Sequence, residues 1–154
     1  MSGDTPLDNH EIERNKQLVV QHFEDFVNRK DLSAIDRNVS PDFVDHDGPG
    51  GKPTDRAGDR AMIAAMHKLM PDLKVEVRDA LADGDKVVVR NVWTGTNSET
   101  GRRIEFHGFV LWRIANGKIV ERWAVLSPQC ELSGENIEDE GARPDAEVDA
   151  EAGA

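Results

Sequence analysis

Residues 73–94 read LKVEVRDALADGDKVVVRNVWT, and this stretch decides the fold. Leu73, Val75 and Val77 alternate with charged residues, the period of a strand with two different faces. Asp83-Gly84-Asp85 then turns the chain into Lys86 to Thr94, so the stretch is a β-hairpin. The segment Thr96 to Arg102, with Gly101, leads into a third strand over Ile104 to Ile114. Asn116-Gly117 turns that strand into a fourth over Lys118 to Leu126. The sequence therefore predicts four long antiparallel strands in succession.

Upstream the period is helical. Ile12, Val19, Val20, Phe23, Phe26 and Val27 recur at helical intervals between charged residues, which predicts a helix from about Asn9 to Arg29 with Asp8 or Asn9 as cap. A short second helix is expected from Leu32 to Asn38, capped by Asp31 and ended by Ser40-Pro41. Phe43 to Asp47 reads as a short strand opening into the turn-rich loop Gly48 to Pro53. A third helix follows from Arg56 to Leu69, with Met62, Ile63, Met66 and Leu69 on one face and Pro71 after its end. Helices precede strands, so the class is α+β, a strongly curved antiparallel sheet packed against three N-terminal helices.

The chain has 154 residues and a formal charge of −11, and the charge is uneven. Residues 134–154 carry eight acids against Arg143 alone and almost no large apolar side chains, so they are expected to form a disordered acidic tail after a single domain over 1–133. Negative charge repels phosphate backbones, and the bases form no stripe, which argues against nucleic acid as a partner. No apolar run reaches the roughly 18 residues of a membrane helix. Cys130 is the only cysteine, so no internal disulfide forms, and the expected location is the cytoplasm.

Both faces of the later strands are apolar, which a sheet with one wet face would not show. One face is expected to pack on the helices around a pocket, the other to meet a second subunit. Ile119, Glu121, Trp123 and Val125 are expected to share a face, and that reading puts Glu121 beside a tryptophan.

The order of these elements, with Pro41-Asp42-Phe43-Val44-Asp45-His46-Asp47, Met70-Pro71-Asp72-Leu73-Lys74-Val75, Phe106-His107-Gly108-Phe109 and Gly117-Lys118-Ile119-Val120-Glu121-Arg122-Trp123, resembles the SnoaL-like polyketide cyclase or ester cyclase family over about Asn15 to Leu126. That family shares a cone-shaped α+β roll with ketosteroid isomerase and nuclear transport factor 2. The resemblance implies a deep apolar pocket for a small hydrophobic molecule, commonly a homodimer, and ring closure by aldol chemistry with a carboxylic acid/base and neither metal nor organic cofactor. The same fold also carries non-catalytic binding and dimerisation modules.

Three residues are candidates for the chemistry. Glu121 is either the acid/base or a strand glutamate paired with an arginine such as Arg90 or Arg122; a carboxylate walled by tryptophan would have its pKa raised by desolvation. His107 is either its partner at a substrate oxygen or a histidine packed between strands. His46 is either a site residue or the structural holder of its loop. Trp93, Phe109, Trp112 and Trp123, with Arg90, are candidates to line the ligand. The chain departs from the family in having Ala124 and Ser127 where relatives often carry acids, and it has no tyrosine to act as an oxyanion donor. The histidines show no metal-binding spacing, and Ser127 and Cys130 have no evident activating partner, so neither metal nor nucleophilic catalysis is expected.

Overall fold

A computed structural model describes residues 6–132 of the protein; the acidic segment 134–154 lies outside the described residues. Helix α1 spans Asn9–His22 and starts in a capping box. Asp8 accepts from the Glu11 backbone N–H at 2.8 Å, and the Glu11 carboxylate accepts from the Asp8 N–H at 3.0 Å. The helix continues as a π-helical segment, Phe23–Asn28, so the expected single helix has the right span and a wider last turn. Asn28 anchors that turn by donating to the Val75 carbonyl and accepting from the Val75 N–H.

Helix α2 is shorter than expected, Ala34–Asn38, because Asp31 binds the Ser33 N–H and hydroxyl and holds the first residues in a turn. Helix α3, Arg56–Leu69, has the expected bounds, with Asp55 accepting from the Gly58 N–H at its start.

The strands are β1 (Val39–Asp45), β2 (Lys74–Asp83), β3 (Lys86–Thr96), β4 (Arg103–Ala115), β5 (Lys118–Leu126) and β6 (Cys130–Leu132). Strands β2 to β5 form the expected antiparallel meander, with Gly84, Asn116 and Gly117 in the left-handed backbone region that tight turns require. The sheet as a whole is mixed, which corrects the expectation of a purely antiparallel one. β1 lies parallel against β5 in the order β1-β5-β4-β3-β2, while β6 pairs with β4. A parallel neighbour requires a long crossover, and here residues 46–117, more than half of the described residues, separate the two strands. The sheet is open, with β1 and β2 as its edges.

The inner face of the sheet buries Val87, Val89, Trp93, Phe106, Val110 and Trp112 against Phe23, Phe26, Val27, Ile35 and Ile63 from the helices. Apolar burial of this kind is the main favourable term in folding. A bulge in β5 decides which residues join that face. Ile119 pairs with Ile114, but Glu121 pairs with the next residue, Arg113, leaving Val120 as an extra residue. Beyond it the faces exchange relative to simple alternation, so Arg122 opposes Trp112 on the inner face while Glu121 and Trp123 oppose Arg113 and Leu111 on the outer one. Among the described residues no helix is long and apolar enough to cross a membrane.

Candidate active site

A cavity of about 80 Å³ lies between the inner sheet face and the helices. Its wall is mostly apolar, including Phe23, Phe26, Phe43, Met62, Ile63, Met66, Trp93, Phe106 and Trp112. Three polar side chains interrupt it: His22, Asp59 and Arg122. All three are buried.

Asp59 stands on the first turn of α3, on the face that also carries Met62, Ile63 and Met66. Burial pushes its carboxyl up to about 8, and a hydrogen bond with the Asp45 carboxyl and the charge of Asp45 add to the shift. No N–H or hydroxyl reaches the buried Oδ1 of Asp59, an orphan that a proton shared between the two carboxyls relieves. Two adjacent carboxyls in a low-dielectric site resist double ionisation, so at neutral pH the pair keeps one proton.

Asp45 is fully buried at the end of β1 and accepts from Arg122 Nη1 at 2.9 and 2.8 Å through its two oxygens. It also accepts from the Asp47 N–H. The Arg122 guanidinium carbon lies 5.6 Å from the centre of the Trp112 ring, a cation–π contact. One cation, one anion and one protonated carboxyl leave this cluster electrically neutral, which is what its burial requires.

His22 closes the far end of α1. Its Nδ1 lies 3.0 Å from the Asn38 side-chain amide, and its ring stacks on Phe26. Burial lowers its pKa to about 4, so the imidazole is uncharged at neutral pH. With Nδ1 accepting from the amide, the assigned tautomer carries its proton on Nε2.

Of the residues expected at the site, Trp93 and Trp112 line the cavity. The placement expected for Glu121 is corrected by the β5 bulge. Glu121 lies on the outer face, where its Oε2 is 3.0 Å from His46 Nε2 and its Oε1 accepts from Arg113 Nε at 2.6 Å. Those partners hold the Glu121 carboxyl below the usual glutamate range, opposite to the shift a tryptophan-walled base would show. His46 stacks on Trp123, with ring centres 4.7 Å apart and planes 5° apart. Glu121 and His46 are therefore brought together, but outside the cavity.

His107 is separate from them, exposed and 2.9 Å from Glu105. Phe109 is exposed, and Arg90 is ion-paired to Asp79 at 2.7 Å; both belong to the outer face, paired with each other across β3 and β4. Asp47 accepts from the Ala124 N–H at 2.8 Å.

Asp59, Asp45, Arg122 and His22 are not among the residues expected from sequence. Asp59 carried a readable signal, an acid at a core position of an amphipathic helix. His22 carried the same signal in α1, one residue before Phe23 and four before Phe26. Among the described residues no group of three His, Cys, Asp or Glu side chains is placed to hold a metal ion.

No functionally curated protein matches the chain by sequence. Among solved structures, AclR from Streptomyces galilaeus, a proposed hydroxylase, is 29% identical with a TM-score of 0.68, over 75% of this chain and 90% of its own. IdmH from Streptomyces antibioticus, a proposed polyketide cyclase, is 30% identical with a TM-score of 0.67, over 73% and 91%. A proposed polyketide cyclase from Bacillus cereus is 28% identical with a TM-score of 0.69, over 79% of each chain. The family model described as SnoaL-like polyketide cyclase matches residues 17–127, most of the chain, and this protein belongs to that family.

Proposed function

We propose that the protein is an enzyme that performs general acid/base chemistry on a small, uncharged, hydrophobic carbonyl compound, with Asp59 as the group that exchanges the proton. The observation that carries the reading is the Asp59 carboxyl, buried in an apolar cavity wall and pushed up to about 8. A group titrating near working pH serves both as base and as acid. Ionised Asp59 takes a proton from carbon next to the carbonyl; the C–H electron pair becomes the C=C bond of an enolate, and the carbonyl π pair moves to oxygen. In a ring closure of the family's aldol type, the enolate carbon then bonds to a second carbonyl carbon, and the resulting alkoxide takes the proton back from Asp59. Arg122, through Asp45, positions the carboxyl without joining these steps.

The fold does not choose the reaction, since a proposed hydroxylase and proposed cyclases share it. A space of about 80 Å³ is smaller than the roughly 150 Å³ cavity known to admit benzene, so it takes the reacting end of a substrate rather than a fused ring system. Met62 and Met66 on α3 form a pliable part of the wall that can repack around a larger group. That small volume also supports a second reading, a non-catalytic module that binds a small molecule.

Deuterium exchange separates the two. Butan-2-one in deuterium oxide should exchange its carbonyl-adjacent protons faster with the protein than without it, and Asp59→Asn should remove the acceleration. Exchange at the buffer rate with the wild-type protein favours the binding module.

The outer sheet face supports a homodimer. Leu81, Phe109 and Val125 are 68%, 59% and 75% exposed, with the pair Leu111 and Trp123 beside Phe109 and Val125, an apolar surface that suits a second copy of this chain. The exposed free thiol of Cys130 supports a reducing compartment, the cytoplasm.

A further inference from the structure

Trp112 is 5% exposed and borders the cavity, yet its indole Nε1–H has no hydrogen-bond acceptor. The other tryptophan of the wall differs: Trp93 donates its Nε1–H to Asn91 Oδ1 at 3.1 Å. A buried donor left unpaired loses its hydration with nothing in return, so it is an exception that calls for a partner. Trp112 is also held in place. Phe23 and His22 meet its ring edge-on, with centres 5.5 and 6.2 Å away, and the Arg122 guanidinium lies over its face. A donor fixed this way needs no reorganisation when an acceptor arrives.

The charge of the wall narrows what that acceptor is. Arg122 is neutralised by Asp45, and the remaining polar groups of the wall, Asp59 and His22, carry no charge at neutral pH. A carboxylate entering here would give up its water without meeting an unpaired cation. An uncharged carbonyl oxygen meets no such penalty.

We infer that the cavity recognises an uncharged ketone or aldehyde oxygen through the Nε1–H of Trp112, which makes this residue an oxyanion donor in a chain that has no tyrosine. The hydrogen bond itself is independent of catalysis; only its oxyanion role rests on the acid/base reading of Asp59. As negative charge gathers on the oxygen during proton removal, the Trp112 N–H bond to it strengthens, so the contact favours the enolate over the ketone.

The test uses the full chain labelled with nitrogen-15 and three probes of nearly one shape: butan-2-one, 2-methylbut-1-ene and propanoate. Trp112→Phe assigns the Trp112 indole resonance. Butan-2-one should move the Trp112 indole proton downfield and leave those of Trp93 and Trp123 in place, while the alkene and propanoate should produce no downfield movement. Trp112→Phe should weaken butan-2-one binding about five-fold, the value of one net hydrogen bond. A Trp112 resonance that stays fixed up to the solubility limit of butan-2-one, or that moves equally with the alkene or propanoate, overturns the inference.

Asp59→Asn separates this from the acid/base reading. If Trp112 responds to butan-2-one but exchange does not depend on Asp59, the acid/base reading fails and the Trp112 contact stands. If exchange depends on Asp59 while Trp112 stays silent, the Trp112 inference fails alone.

Discussion

Arg122 and Asp45 sit side by side on parallel strands, and one guanidinium nitrogen reaches both carboxylate oxygens, at 2.9 and 2.8 Å, inside the molecule. The pair is what allows a second carboxyl, Asp59, to exist at the same place. Without the cation, two buried acids would face each other across a low-dielectric gap.

Arg122→Leu therefore leaves Asp45 and Asp59 without compensation. Removing one partner of a buried pair costs about 3–5 kcal/mol, and the loss should appear in urea unfolding at pH 7. Recovery of much of that stability in the Arg122→Leu/Asp45→Asn double variant is the expected outcome, because it removes both charges.

Asp59 imposes a pH dependence on folding. Its carboxyl is raised from 3.8 to about 8 in the folded protein, so its contribution is fully present below about 4 and is lost as pH rises toward 8. Asp59→Asn should be more stable than the wild type at pH 8, by on the order of 1–3 kcal/mol, and so melt higher, and the gap should shrink by pH 4. Melting curves across that range measure it, and equal pH slopes for the two proteins would show that Asp59 ionises normally.

The proposed reaction should carry the same group in its rate profile. The rate of deuterium exchange into butan-2-one should rise with pH through a midpoint near 8, where Asp59 is half ionised, and level off above it. A profile that is flat from pH 6 to pH 9 in the wild type would sever the link between this carboxyl and the chemistry.

Glu121 behaves in the opposite sense. Arg113 and His46 hold its carboxyl below the usual range, so the stability it supplies is present above about 4.5 and lost as pH falls. The cluster is partly exposed, so Glu121→Gln should cost no more than about 1 kcal/mol, read at pH 7 and vanishing in acid. Exchange into butan-2-one should be unchanged, since the side chain lies outside the cavity.

On the outer face, Phe109→Glu should convert the proposed dimer to a monomer in analytical ultracentrifugation. Phe109 is 59% exposed, so the melting temperature of the monomer should remain within a few degrees of the wild type at low concentration. A wild-type chain that sediments as a monomer would remove the dimer from the account.

Periodicity was enough to find the three helices and the four-stranded meander, because each element is specified by residues close in sequence. The bounds of α3 are reproduced to the residue. The pairing of β1 with β5 was not legible, since Val44 and Glu121 are neighbours only through the folded sheet. The site suffered most from one local event. Alternation along β5 assumes no inserted residue, and Val120 breaks it, so a period-two reading puts Glu121 on the face that Arg122 occupies. At β1 the same period-two logic separates Asp45 from its neighbour His46, and the buried position belongs to the aspartate.

The Val120 bulge gives β5 a built-in half-twist of meaning. Upstream and downstream of it, odd and even positions swap their destinations, so the same residues in an unbulged strand would expose the arginine and seat the glutamate beneath the helices, whereas loss of Val120 together with the bulge would leave both where they are. Matching an unbulged relative to this chain letter by letter, with no gap at Val120, would equate side chains that never occupy the same surroundings. Correspondence through this strand has to follow the pleat, because whether a bulge absorbs the extra residue decides which ionisable groups reach the interior.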